Sequence, residues 1–181
     1  MAAPYPRDLL EGREGEGPAL RYLVIDAARD PAIFDYLLEM QDQLTVQCLY
    51  KGDSARNLAD VAPYLMALEP DGQGPAWDFL RLGWGRSWLI MLQGEADFET
   101  VRLHLRKLTF VQLPSGETAL FRFYDPRVMR LVLPTCGADQ LRRLFGPLRQ
   151  IWTEAVADES ADLFEWDGVA LSHARVHLGE T

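Results

Sequence analysis

The chain has 181 residues, 48% of them hydrophobic and 25% charged, with a net charge of −9. A chain of this length suggests one domain, or one domain with a small appendage, and buries roughly 70% of the surface its unfolded form exposes, so it needs no disulfide or metal to fold. The acidity argues against a nucleic-acid binder. No stretch has the apolar core of a signal peptide or the about eighteen apolar residues of a membrane span.

Residues 1–18, rich in Gly, Pro and Glu, read as a flexible lead-in. Leu20 to Ala27 (LRYLVIDA) is a strand-type run that ends at an acid. Asp30-Pro31 then opens a helix through Gln41, with Ile33, Phe34, Leu37 and Leu38 on one face. A strand is predicted over Leu44 to Tyr50, a turn over Lys51 to Ser54 and a strand over Pro63 to Leu68. Pro75 to Leu82 reads as a helix stopped by Gly83, and Ser87 to Gln93 as a strand apolar on both faces.

Asp97 caps a helix through Leu108, in which Phe98, Val101, Leu105 and Leu108 recur at three- and four-residue spacing. Leu113 to Gly116 turns the chain into a predicted strand, Thr118 to Tyr124. Its alternation places Phe121 and Phe123 on one face and Arg122 and Tyr124 on the other. Asp125-Pro126 repeats the cap-plus-proline start and opens a helix to Leu133, and Asp139 to Phe145 forms another, ended by Gly146-Pro147. Strands over Leu148 to Val156 and Leu163 to Trp166 complete the pattern. The alternation predicts an α/β fold: strands and helices around a mixed sheet, in one compact domain over residues 19–153. The acidic segment 154–181 follows and is expected to be dispensable for that core.

Charge is unevenly placed. Residues 154–181 hold seven acids against Arg175, whereas Phe121 to Arg149 holds six arginines and two acids. Catalytic groups are harder to find. Cys48 and Cys136 are far apart and read as buried apolar residues. There is no GxSxG elbow. His104 lies beside Arg102 and Arg106 on a solvated helix face. His173 and His177 are four apart, as on one face of a helix, but with no Glu between them and no third ligand. Asp158, Glu159 and Asp162 read as a solvated acidic loop. No catalytic residue, metal ligand or cofactor cradle is assigned.

The densest segment is Leu120 to Val128, LFRFYDPRV. It is either a structural corner, in which Arg122 or Arg127 pairs with Asp125, or a polar anchor for a partner. The string, with the upstream Ala62-Pro63-Tyr64-Leu65, Trp84-Gly85, the early YLVIDAA, HLRKL and the downstream QLRRLFGPL, resembles the effector-adaptor domain of bacterial type VI secretion, over about Tyr22 to Phe145. Members of that family, first catalogued as a domain of unknown function, are called Tap or TEC adaptor chaperones. The resemblance implies a cytoplasmic, non-enzymatic protein that binds a toxic effector and helps load it onto the VgrG spike protein. The family's motif residues fall here on Arg122, Tyr124, Asp125, Pro126 and Arg127. The candidate partner-binding residues are thus Arg122, Tyr124, Asp125 and Arg127, joined by Arg142 and Arg143 from the arginine-rich stretch. The alternative is a small cytoplasmic α/β enzyme, which requires a deep pocket lined by perturbed titratable groups.

Overall fold

The computed structural model of the chain describes residues 19–112, 115–155 and 160–178. Within its main sheet lies β1 (Leu20–Asp26), in which Leu23, Val24 and Ile25 are fully buried. Successive side chains of a strand point to opposite faces. Leu23 and Ile25 therefore join one core, and Tyr22 and Val24 another. A strand apolar on both faces needs cover on both.

The rest of the chain supplies it. β2 (Val46–Cys48) pairs with β3 (Pro63–Ala67), β3 with β1, and β1 with β4 (Leu89–Gly94). β5 (Phe110–Gln112) and β6 (Thr118–Leu120) form a separate hairpin. β7 (Leu148–Glu154), β8 (Ser160–Trp166) and β9 (Leu171–His177) extend the main sheet, giving the order β2-β3-β1-β4-β7-β8-β9. The α/β fold expected from the alternation is present, with antiparallel pairing throughout rather than a mixture. β7, β8 and β9 follow one another as a meander, and connections that short permit only antiparallel neighbours.

Six α-helices form among the described residues, and five of them sandwich this sheet. α1 (Pro31–Glu39) starts where Asp30 accepts a hydrogen bond from the Ala32 N–H at 2.9 Å, with Pro31 in the first turn. α2 (Gly52–Asn57) is short and buries nothing. It replaces the predicted turn at Lys51 to Ser54, whose Gly-Asp-Ser composition suits either a turn or a helix start. α3 (Pro75–Gly83) buries Trp77, Phe79 and Leu80 and, with α1, covers the Leu23 and Ile25 face. α4 (Phe98–Leu108), α5 (Pro126–Val132) and α6 (Ala138–Phe145) cover the other face through Val101, Leu105, Met129, Leu141 and Phe145.

Several expectations change. Cys48 and Cys136, placed in the core by the sequence, are only partly buried. His173 and His177 lie on a strand, not a helix. Asp162, expected in a solvated loop, is fully buried on β8. It accepts from Arg175 Nη2 at 2.9 Å and contacts His173 Nε2 at 2.9 Å. The His173 ring in turn stacks on Phe164 at 4.5 Å. These cross-strand partners let an acid sit where only an apolar residue is expected. Asp158 and Glu159 lie outside the described residues.

Residues 160–178 of the acidic segment are therefore part of the architecture. Phe164 and Trp166 enter the core beneath α6, and Leu163 enters the opposite one. Each such side chain contributes about 1.5–3 kcal/mol on burial, against a total stability of about 5–15 kcal/mol for a typical domain. Truncation after Thr153 should accordingly abolish the cooperative thermal transition seen by circular dichroism. A sharp melt close to that of the full chain would show β8 and β9 to be dispensable after all.

Candidate partner-binding surface

The LFRFYDPRV segment is a corner rather than a strand. Pairing in the hairpin stops at Leu120. The Phe121 N–H then donates to the Thr109 carbonyl at 2.9 Å, and the Asp125 N–H closes a turn onto the Arg122 carbonyl at 3.0 Å. In a strand Phe123 and Tyr124 would point apart. Here both are buried, their rings 5.4 Å apart and edge to face. The alternation predicted for Phe121 to Tyr124 fails because the turn brings consecutive side chains inward.

Two buried carboxylates hold the corner. Asp26 ends β1, and its side chain is 1% exposed. It accepts from the Ala28 N–H at 3.2 Å, capping a one-turn 3-10 helix, and forms an ion pair with Arg122. Burial works against the charge on Arg122, but the hydrogen bond and charge of Asp26 outweigh it and raise its pKa further. The Arg122 guanidinium also lies 5.9 Å from the centre of the Tyr124 ring. Asp125 caps α5, accepting from the Arg127 N–H at 2.9 Å. Its two oxygens also receive Arg127 Nε at 2.9 Å and Nη2 at 2.6 Å, a bidentate pair. Burial again opposes ionisation, yet the hydrogen bonds and charge of Arg127 prevail and hold the Asp125 carboxyl below its ordinary range. Of the two pairings the sequence left open, Asp125 takes Arg127, and Arg122 reaches back to Asp26. Both arginines keep an open side, with 40% and 49% of their side chains exposed. Tyr124 and Asp125 are buried and offer no outer surface, but they contact these two arginines from within.

Sequence reasoning missed the other half of this polar end of the sheet. Glu154, at the end of β7, accepts from Ser87 Oγ at 2.7 Å and from the Ser87 N–H at 3.0 Å. Ser87 has a positive φ of 56°, a strained conformation for a residue with a side chain, and these two hydrogen bonds secure it. Arg130 of α5 donates to the Glu154 carbonyl. The one visible signal was Asp26 itself, an acid closing an otherwise apolar strand.

Arg142 and Arg143 sit apart from the corner, on α6. Arg142 pairs with Asp139 one turn earlier, at 2.6 Å. Arg143 lines an open cavity of about 560 Å³ between α4, α6 and the β5–β6 hairpin, together with Lys107 and Phe121. A second, smaller cavity of about 220 Å³, near Gln93 and Trp166, is lined by the ion-paired Glu95 and Arg149. No histidine of the described residues lines either cavity, and burial raises the pKa of the Cys136 thiol in the larger one, which weakens it as a nucleophile.

His104 is not on a solvated face. Its Nε2 lies 2.9 Å from the Leu144 carbonyl. A carbonyl only accepts, so Nε2 carries the proton and ties α4 to α6. The ring fills the space beside Gly146, where an added Cβ would meet it at 2.2 Å.

Two outcomes follow from these contacts. Arg122→Ala should cost about 2 kcal/mol or more, because Asp26 would stay buried without its partner; the figure is discounted for the half-open arginine. Adding Asp26→Asn should recover part of that loss in urea melts, and a double variant less stable than the single one would contradict the account. His104 gives a pH dependence. Burial, aided by the nearby Lys107, lowers its pKa below the ordinary 6.5 despite the bond to Leu144. The unfolded chain thus takes up the proton first on acidification. The stability tied to neutral His104 is complete above pH 6.5 and is lost as pH falls through the folded value. Urea midpoints of His104→Gln should fall less than wild type between about pH 7.5 and pH 5.5; parallel curves would remove His104 from the effect.

Comparison with known proteins returns one family. Residues 21–143 match the model of a domain of unknown function, DUF4123. No curated protein and no solved structure matches significantly. The matched span runs from β1 into α6, takes in the whole LFRFYDPRV corner and exceeds half of the chain, which therefore belongs to the DUF4123 family.

Proposed function

We propose that this chain is a non-enzymatic cytoplasmic adaptor that binds a type VI secretion effector and helps load it onto the VgrG spike protein. The observation that carries the reading is the family match over residues 21–143, because it contains the segments on which the resemblance to effector adaptors rests, except the end of QLRRLFGPL. The geometry agrees in kind. The acids of the corner are consumed in ion pairs and helix caps, which leaves arginine faces for recognition rather than carboxylates for proton transfer. No helix among the described residues is long and apolar enough to cross a membrane.

A loader must hold its cargo and meet the delivery vehicle at once, so the two partners need separate surfaces. Arg122 and Arg127 are the candidates for one surface, braced by Tyr124 and Asp125. The stretch of α6 bearing Arg142 and Arg143 is the candidate for the other.

The full chain, incubated with an effector and a VgrG protein from the same secretion locus, should retain each alone and both together. Mutual exclusion of the two would overturn the two-surface arrangement, and capture of neither would overturn the adaptor. In parallel, the purified chain should show no turnover of ester, peptide, phosphoester or glycoside substrates. Turnover abolished by substitution of His104, His173 or His177 would decide for the enzyme reading instead.

A further inference from the structure

The arginine-rich stretch Phe121 to Arg149 has a surplus of positive charge on paper. The structure shows where most of it goes. Arg122 pairs with Asp26, Arg127 with Asp125, Arg142 with Asp139 and Arg149 with Glu95, while Arg130 is bonded to the Glu154 carbonyl. Arg143 is the exception: among the described residues it has no ion-pair partner. Arg143 is also the arginine that lines the 560 Å³ cavity.

The cavity has a consistent make-up. Its floor is apolar, formed by Leu108, Val111, Phe121, Val132 and Leu144. Its charged rim is Lys107 from α4 and Arg143 from α6, and no carboxylate of the described residues lines it. Lys107, like Arg143, has no ion-pair partner among the described residues. Gln140, Arg143 and Leu144 share one face of α6 by their three- and four-residue spacing. Leu103, four residues before Lys107 on α4, is exposed and extends the apolar strip along the same helix face. The β5–β6 hairpin that forms one wall has only three residues in each strand and carries exposed Phe110, Val111 and Leu120. So small a hairpin is marginal alone and gains from being covered.

We propose that this cavity docks an acidic, amphipathic segment of a partner protein, its apolar side chains on the floor and its carboxylates on Lys107 and Arg143. The proposal rests on the adaptor reading for the identity of that partner, which would be the effector or the spike. Charge selects the occupant. Two uncompensated cations around an apolar floor, in a chain of net charge −9, match a segment that brings both grease and negative charge. Nucleic acid fits poorly, since phosphate recognition needs many cations and gains nothing from an aliphatic floor. A second copy docked symmetrically would set Lys107 and Arg143 against their own counterparts.

The test uses the full chain and a fluorescein-labelled peptide of about 15 residues, with Leu at helical spacing on one face and Glu on the other. Its counterpart carries Lys in place of Glu. By anisotropy at physiological salt, the acidic peptide should bind saturably and the basic one at least about tenfold more weakly, or 1.4 kcal/mol. Lys107→Glu with Arg143→Glu should weaken the acidic peptide by at least about tenfold and strengthen the basic one, with an unchanged melt. Arg56→Glu, which disturbs only the exposed pair with Asp53 on α2, should change affinity less than about twofold.

Absence of saturable binding overturns the proposal, as does equal binding of both peptides. So does a concentration-dependent dimer that the double variant dissociates, because the cavity would then serve a second copy. The same double variant, presented with effector and VgrG, separates this proposal from the adaptor reading. Retention of both partners as by wild type would refute the docking site while leaving the adaptor intact. Charge-selective peptide binding without capture of either partner would keep the docking site and refute the adaptor.

Discussion

Asp26 is a carboxylate with almost no exposure, at the buried end of β1. Leaving it unpaired there would cost several kcal/mol, so the fold has to bring a cation to it. The cation comes from Arg122, 96 positions later in the chain. That requirement organises the second half of the molecule. To reach Asp26, Arg122 must leave the hairpin, so β6 ends at Leu120 and the chain turns. The turn drives Phe123 and Tyr124 into the core and places Asp125 where its carboxylate can start α5. α5 in turn carries Arg130 to the end of β7. One buried acid thereby fixes the position of a strand end, a corner and a helix against the same end of the sheet.

The local grammar of this fold is legible in the sequence, and its long-range pairings are not. Helices opened by Asp30-Pro31, Asp97 and Asp125-Pro126 are found where those residues place them, because a cap and a proline act within four residues of chain. β1, β3 and β4 are found because apolar runs of strand length are their own signal. The errors lie where a distant partner changes what a residue can do. Asp162 looks like a loop residue until Arg175 and His173 are placed across from it on β9. His104 looks solvated until the Leu144 carbonyl and the glycine at 146 are brought beside it. Phe121 to Tyr124 looks like a strand until Arg122 is drawn to Asp26.

The candidate site divides along the same line. The LFRFYDPRV string stands out in the sequence because of its density of arginine and aromatic residues, and its Asp125 cap is a local feature. The assignment of Arg122 to Asp26 and of Arg127 to Asp125 needed the tertiary structure, since the sequence left Asp125 open to either arginine and gave no sign that Asp26 lies nearby. Only the folded chain shows which groups are spent on stability. Asp125 and Tyr124 are inside, whereas Arg122 and Arg127 keep an outer edge. A motif read as one unit is thus two layers, a buried brace and an exposed cationic surface.

Net charge conceals this arrangement. An acidic chain is expected to present an acidic surface, and much of this one does, through the solvated carboxylates of its helices and loops. Several of its acids, however, are withdrawn into the interior, where Asp26, Asp125 and Asp162 each hold an arginine in place. Charge spent on such internal pairs does not act on a partner at long range. What remains outside is set by the cations left over, and on the face formed by α4, α6 and the short hairpin those are Lys107 and Arg143, around a floor that no side chain of the described residues covers. Electrostatic selection on that face therefore runs opposite to the sign of the whole molecule: a negatively charged partner, repelled by the protein at a distance, is attracted once it lies within about a Debye length of the groove. Binding there is governed by short-range contact and by the apolar floor rather than by steering, which favours a segment held nearby over one that must be found by diffusion.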